Sequence, residues 1–272
     1  MLTLYQFNNS VCSQKVRITL SEKGLQWETR EVNLFRSEQY DPEYLKLNPK
    51  GVVPTLVHDG RPVIESTLIC EYLDEAFPEP SLVPDDAYGK ARMRLWGKAV
   101  DEGLHDGVTV LSFSAMFRDR MKEMPEAERQ RRFLNVGDPV RRDRHQSAFE
   151  LGIESPHVFR AIAAYEKAFK GAEAALEGGS AWLAGDGFSL ADINLMPYAA
   201  RLENLTLLGI WLDGRPKTRA WWDRAKARPS FETVLNGPLS EAELVEMSSS
   251  GAKIRQRVTE IRADYLVQFA GV

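Results

Sequence analysis

The chain has 272 residues, 43% hydrophobic and 27% charged, with six Trp, a net charge of -4 and a pI near 5.7. That length suits one large domain or two small ones with a sizeable core, and the acidic balance argues against a nucleic-acid binder, which carries a basic excess. No apolar run reaches the ~18 residues of a membrane span, "MLTLYQF" lacks the basic start and cleavage pattern of a signal peptide, and the two cysteines, Cys12 and Cys70, fit reduced thiols in the cytoplasm rather than a disulfide framework.

The first 80 residues alternate in character. "LTLYQF" reads as a strand, and "SQKVRITLSEKG" as a helix with Val16, Ile18 and Leu20 on its apolar face and Gly24 as its stop. "WETREVNL" is a second strand, and "YDPEYLKLNPKG" a short helix or turn closed by Asn48, Pro49 and Gly51. "VVPTLVHDG" and "RPVI" form a hairpin through Asp59-Gly60. "ESTLICEYLDEAF" is a helix that ends before Pro78 and Pro80. The order β-α-β-α-β-β-α predicts a mixed α/β domain over residues 1–80, and the proline-rich stretch at 81–88 a linker.

Residues 89–272 read as helical throughout, without internal repeats. The segment 118–145 is arginine-rich: Arg118, Arg120, Arg129, Arg131, Arg132, Arg141, Arg142 and Arg144 suit either an anion or partner surface or a solvated insertion between helices. "SLADINLM" places Ser189 and Asp192 at capping-box spacing, with Phe188 and Ile193 as a hydrophobic staple, which is a fold signal. The tail from "SSSGAK" reads as a Ser/Gly hinge followed by a last amphipathic helix.

Three stretches carry chemistry. In "NSVCSQK", Ser10, Cys12 and Ser13 stand where the first strand meets the first helix. The unpaired N–H groups and dipole of a helix N-terminus lower a thiol's pKa, and a serine hydroxyl there donates to a thiolate; plain N-capping by Ser10 or Ser13 explains the same residues. In "GVVPTL", a cis Val53–Pro54 bond would let Val53 offer its main chain to an extended peptide, whereas most X–Pro bonds are trans. In "IESTLICEYL", Ser66 caps a helix and Glu65 lies at its positive end, so the pair suits the carboxylate and ammonium of an amino acid.

Together, "NNSVCSQKVRITLSEKG", "LNPKGVVPTL", "IESTLICEYL" and "FSLADINL" resemble the glutathione transferase superfamily in order and spacing over nearly the whole chain. The resemblance implies an α/β thioredoxin-like N-terminal domain with a cis-proline, an all-α C-terminal helical domain, glutathione as co-substrate, and a homodimer. It implies that Val53, presented by Pro54, pairs with the cysteinyl backbone of glutathione, that Glu65 and Ser66 hold the γ-glutamyl end, and that Gln39, Lys50 or Arg36 reaches the glycyl carboxylate. Asp101 resembles an acidic residue that some members send across the dimer.

Three residues compete for the sulfur. Ser10 matches the serine of theta- and zeta-type enzymes, although Val11 replaces the second serine of the zeta pattern. Cys12 matches the cysteine of beta- and omega-type enzymes and reductive dehalogenases, with Lys15 one turn on, and Ser13 the serine proposed in bacterial β-aryl etherases. No tyrosine lies between residues 8 and 13, and Tyr5 on the strand reads as structural. A serine would serve attack of the glutathione thiolate on an electrophilic carbon; Cys12 would serve a monothiol disulfide cycle resolved by glutathione. The insertion at 112–160 resembles the bacterial β-etherase-like branch, which implies cleavage of an aryl ether, or of an aryl halide. The hydrophobic substrate would then meet Phe7, Phe113, Met116, Phe117, Tyr198 and Arg201. No metal and no nucleic acid are expected. A non-catalytic binding module is the remaining alternative, against which the intact Pro54, Glu65 and Ser66 argue.

Overall fold

The computed structural model describes residues 1–269. Two compact units make up the chain. The first holds Met1–Gly97, Gly179–Pro197 and Ala220–Ser240; the second holds Lys98–Gly178, Tyr198–Arg219 and the chain from Glu241.

In the first unit, β1 (Leu2–Gln6) leads through α1 (Val11–Glu22) to β2 (Glu28–Glu31). Two 3-10 turns and α2 (Pro42–Leu47) precede the hairpin β3 (Thr55–His58) and β4 (Arg61–Ile64), and α3 (Ser66–Ala76) follows. The sheet order is β2-β1-β3-β4, with β1 parallel to β2 and antiparallel to β3. This is the mixed α/β order expected from the alternation of apolar patterns. Leu4, Leu56, Val16, Ile18, Leu20, Ile69 and Leu73 are fully buried and form its core. The edge strand β2, "ETRE", is exposed along its length and charged, which discourages pairing with another chain.

The helices continue with α4 (Ala87–Ala99), a π-helical turn at Val100–Leu104, α5 (His105–Ser112), a second π-helical turn at Phe113–Phe117, and α6 (Arg118–Lys122). Then come α7 (Glu126–Asn135), α8 (Pro139–Leu151), α9 (Pro156–Leu176), α10 (Leu190–Asn204), α11 (Gly209–Leu212), α12 (Pro216–Lys226) and α13 (Glu241–Gln268). The return half of the capping box is formed, with Ser189 N–H and Oγ donating to Asp192 at 3.0 and 3.2 Å, while Ser189 Oγ accepts the N–H of Ala191 in place of that of Asp192. Tyr165, Phe169 and Trp211 pack ring against ring inside the second unit.

Two sequence expectations need correction. The Ser/Gly stretch is no hinge but lies inside the continuous helix α13. Ser248 and Ser249 donate to the carbonyls of Val245 and Glu246 three residues back, so their hydroxyls do not compete with the helix. Gly251 is there for close approach: a Cβ would lie 1.8 Å from the Leu205 carbonyl oxygen. The tail's last three residues lie outside the described ones. The second correction concerns α3, whose N-cap is Glu65; Ser66 is its first helical residue.

The arginine-rich segment folds into α6, α7 and α8, and several arginines close helix ends. Arg118 donates to the carbonyls of Phe149 and Glu150, both at 2.8 Å, Arg142 to that of Val136 at 2.8 Å, and Arg129 to those of Met121 and Met124. Terminal carbonyls left unpaired by the helix are thereby satisfied.

Candidate active site

The strand register gathers the three stretches singled out above. Tyr5 on β1 pairs with Thr55 on β3, and Thr55 pairs with Ile64 on β4. The β1–α1 turn, the loop before β3 and the start of α3 therefore emerge at one end of the sheet, with the N-termini of α1 and α3 beside them.

Ser10 is the N-cap of α1, and its Oγ accepts the Ser13 N–H at 3.3 Å. An oxygen used in this way keeps its own O–H as a donor. Ser13 is fully buried, and its Oγ accepts the Phe7 N–H at 3.4 Å. Cys12 is half-buried at the second position of the helix, and neither cysteine is in a disulfide. Cys70 is an inert counterpart: burial against α1 pushes its thiol up to about 11.

Val53–Pro54 is cis. The loop in front of it is held by Asn48, a residue the sequence reading used only as a turn closer. Asn48 Nδ2 donates to Val52 O at 3.0 Å and Thr55 Oγ1 at 3.1 Å, and Tyr44 Oη donates to Val52 O at 2.6 Å. These bonds occupy the carbonyl of Val52, while among the described residues Val53 makes no main-chain hydrogen bond. Gly51 is required here, since its φ is +59° and a Cβ would meet the Tyr40 ring at 2.9 Å.

Glu65 has φ 69° and ψ 110°, a sparsely populated conformation for a non-glycine residue. Its carboxylate meets the Lys50 ammonium at 2.6 Å, so two of the predicted binding residues touch each other. Ser66 is 9% exposed. Gln39 Oε1 is buried and has no partner among the described residues. Phe7 packs on the cluster of Val32, Tyr44 and Val53, and its ring lies edge-on to Phe35 at 5.5 Å.

The other predicted pocket residues lie in the second unit. Phe113, Met116 and Phe117 belong to the π-helical turn after α5, a form of helix that recurs at functional sites. Phe113, Met116, Tyr198 and Arg201 are buried, and Tyr198 sits edge-on to His105. Arg201 donates to Ser112 Oγ at 3.2 Å, and burial lowers its pKa to about 10. His145 was not legible as a neighbour of this group. Its ring stacks on Phe113 at 6.1 Å, and burial, with Arg144, Arg141 and His105 nearby, lowers its pKa to about 4.

Unfolded, a histidine titrates near 6.5; folded, His145 stays neutral down to about 4. Between those values only the unfolded chain takes the proton, so stability is lost as pH falls from about 6.5 to 4. His145→Phe, which keeps the stack, is expected to remove about 2–3 kcal/mol of that loss in urea melts at pH 7 and 4.5. Parallel losses in both proteins would contradict it.

The chain matches the glutathione S-transferase N-terminal domain over residues 4–81 and the glutathione S-transferase C-terminal domain over residues 133–229. It belongs to the glutathione S-transferase family. Protein LigF of Sphingobium sp. strain SYK-6 is 34% identical over 247 residues, which are 86% of this chain and 93% of that protein. The maleylacetoacetate isomerase of Pseudomonas aeruginosa is 32% identical over 85% of this chain and 93% of its own. The tetrachloro-p-hydroquinone reductive dehalogenase of Sphingobium chlorophenolicum is 30% identical over 86% and 95%. The crystal structure of β-etherase LigF superposes with a TM-score of 0.76 at 31% identity, covering 87% of this chain and 99% of that one. A Sulfitobacter glutathione transferase homologue, solved with bound glutathione, has a TM-score of 0.63 at 26% identity, covering 88% and 99%. The thioredoxin-like domain with its helical partner, the enzymatic class and glutathione as the family's co-substrate are therefore as the resemblance implied. Among the described residues no helix is long and apolar enough to cross a membrane, and no cluster of three His, Cys, Asp or Glu is placed to hold a metal.

Proposed function

We propose that this enzyme binds glutathione as its thiolate at the N-terminus of α1, the thiol proton passing to water and Ser10 donating to the sulfur, and directs it at carbon in a hydrophobic aryl ether. The observation that carries the choice of Ser10 is its geometry. Its oxygen accepts from Ser13 N–H, and its O–H remains to be donated outward. Ser13 is fully buried and turned toward Phe7, which argues against its reaching a ligand. Sulfur attacks the ether carbon, the C–S bond forms as the C–O bond breaks, and the aryl oxygen leaves as a phenolate that takes a proton from water. Similarity to LigF favours the ether; similarity to the dehalogenase makes an aryl halide, with halide as the leaving group, the next class to assay.

In this reading residues 1–80 bind glutathione, 81–88 join the parts, and 89–272 supply the hydrophobic substrate contacts. Val53 pairs with the cysteinyl main chain, Glu65 and Ser66 receive the γ-glutamyl group, and Gln39 and Lys50 receive the glycyl carboxylate. The candidate contacts for the electrophile are Phe7 in the first unit and, in the second, Phe113, Met116, Phe117, Tyr198 and Arg201. Ser66→Ala is expected to weaken glutathione binding about 5–20-fold by calorimetry with the melting temperature unchanged; unchanged affinity would remove Ser66 from the site.

The enzyme acts in the cytoplasm as a homodimer. Support for the dimer comes from Leu68 on α3 and Tyr88 and Leu95 on α4, which are 58%, 74% and 64% exposed, an apolar set that a second copy would cover. Light scattering is expected to return twice the chain mass, and the mass of one chain would contradict it.

A second reading is supported by Cys12, half-buried at the positive end of α1. There a thiolate would attack the glutathionyl sulfur of a mixed disulfide substrate, the substrate thiolate leaving, and reduced glutathione would then attack the Cys12 adduct to restore the thiolate and leave as oxidised glutathione. Mass spectrometry after incubation with oxidised glutathione separates the readings: a reversible adduct on Cys12 favours the disulfide cycle, and its absence in a protein that binds glutathione favours attack on carbon.

A further inference from the structure

Helix α1 carries two cations in its first two turns, and both are buried. Lys15 is 0% and Arg17 is 4% exposed. Lys15 Nζ donates to Thr67 Oγ1, at the start of α3, at 2.8 Å. Arg17 donates to Gln6 Oε1, to Asn8 Oδ1 and O at 3.3 and 3.1 Å, and to Val234 O at 2.8 Å. Every one of these partners is neutral, and among the described residues no carboxylate lies within ion-pair distance of either cation. The far end of the same helix is built differently. Lys23 is buried against Asp74 at 2.6 Å, and Glu22 against Arg228 at 2.5 Å.

A buried charge without a counter-charge is costly, and replacing it by an apolar side chain of similar size is commonly neutral or stabilising. Arg17 reaches the turn that leads to Ser10, and Lys15 reaches across to α3, where it lies near the buried, neutral Cys70 thiol. Arg17 holds Asn8 in that turn, together with Gln14 and Gln6, whose amides also donate to Asn8. Lys15 faces the start of α3. Their positive ends add to the α1 dipole, which already favours an anion at this point.

We propose that the absent counter-charge is the sulfur of the bound thiol: Lys15 and Arg17 form a buried positive field that favours the thiolate over the thiol at the N-terminus of α1. They are positioning residues, acting through the field and through the turn. This deepens the glutathione reading above and rests on it. A neutral thioether at the same place gains nothing from that field.

Lys15→Met is the decisive variant, because it removes the charge while keeping the length and leaving only one hydroxyl to find another partner. The glutathione complexes of the wild type, Lys15→Met, Arg17→Met and Arg17→Lys are titrated by the ultraviolet absorbance of the thiolate. Binding of glutathione and of S-methylglutathione is measured beside them by calorimetry. Lys15→Met, ligand-free, is expected to melt no lower than the wild type, yet to titrate its bound thiol about one unit higher, a roughly tenfold loss of thiolate near neutral pH. Arg17→Met is expected to shift the same way and Arg17→Lys to restore most of the effect, while affinity for S-methylglutathione changes less than threefold in Lys15→Met. A Lys15→Met protein that melts normally, binds glutathione and titrates at the wild-type pH would overturn the inference and leave the glutathione reading standing. A wild type that binds no glutathione would overturn both. A Lys15→Met protein that fails to fold would also overturn it, since the ammonium would then be structural.

Discussion

Ser10→Ala is expected to lower kcat/KM for glutathione conjugation about 100-fold or more, with most of the loss in kcat. The hydroxyl favours the bound thiolate over the unreactive thiol, so without it the ionised, nucleophilic fraction of bound glutathione falls; losing one active-site donor to an anion typically costs 10²–10³-fold. Glutathione binding should change little, because Val53, Glu65 and Ser66 are untouched. Some helix stability is also lost, since Ser10 Oγ accepts the Ser13 N–H, and a removed N-cap costs about 1 kcal/mol. The activity assay therefore belongs well below the melting temperature. Stopped-flow turnover and a thiolate titration check the expectation. A variant within fivefold of the wild type would remove Ser10 from the chemistry and bring Cys12 forward.

Asp192→Ala is expected to be the most destabilising single change considered. Asp192 is fully buried and accepts from Leu183 N–H, Ser189 N–H, Ser189 Oγ and Trp221 Nε1, at distances between 2.8 and 3.2 Å. Burial raises its pKa to about 6, so it is ionised at neutral pH, held by those donors. Alanine leaves them buried without an acceptor. At about 1–3 kcal/mol for each unpaired group, partly relieved by relaxation, the loss is about 3–5 kcal/mol. That is a large share of a typical domain's 5–15 kcal/mol. Urea melts check it; a loss under 1 kcal/mol would show that the joint between Leu183, Ser189 and Trp221 is held by packing alone. The expected effect is on stability: where the variant remains folded, glutathione affinity should be retained.

These two residues differ in how legible they were. The capping box around Asp192 is local, three residues from donor to acceptor, and reads directly from "SLAD". Its further bond to Trp221 crosses from one helix to another and leaves no mark in the spacing. Ser10 was legible as one of three candidates, because cap residues and thiol handlers are the same residue types. Burial and hydrogen bonding distinguish the two serines, Ser13 being fully buried with its Oγ on Phe7 N–H, and they leave Cys12 to be tested by its reaction with oxidised glutathione. The order of strands and helices in the first 80 residues followed from hydrophobic periodicity and turn chemistry, whereas the start of α3 was displaced by one residue because Glu65 adopts a positive φ that no pattern announces.

The misread elements fail for a common reason, which is that their deciding partners are distant in sequence. "SSSGAK" has the composition of a hinge, and it is a helix because Gly251 lets α13 approach Leu205. The burial of Lys15 and Arg17 is likewise set from outside their helix, by Thr67, Gln6, Asn8 and Val234. The arginines at 118–145 look like a charged surface, and Arg118, Arg129 and Arg142 close helix ends through carbonyls up to 32 residues away. Charge in a sequence gives no indication of whether its partner is water, a carbonyl or an anion.

A crystal structure of the glutathione complex would show which side chain at the start of α1 receives the sulfur. The glutathione sulfur is expected within hydrogen-bond distance of Ser10 Oγ, with the cysteinyl main chain paired to the N–H and C=O of Val53. A glutathione sulfur bonded to Cys12, or glutathione bound away from the N-terminus of α1, would contradict that placement.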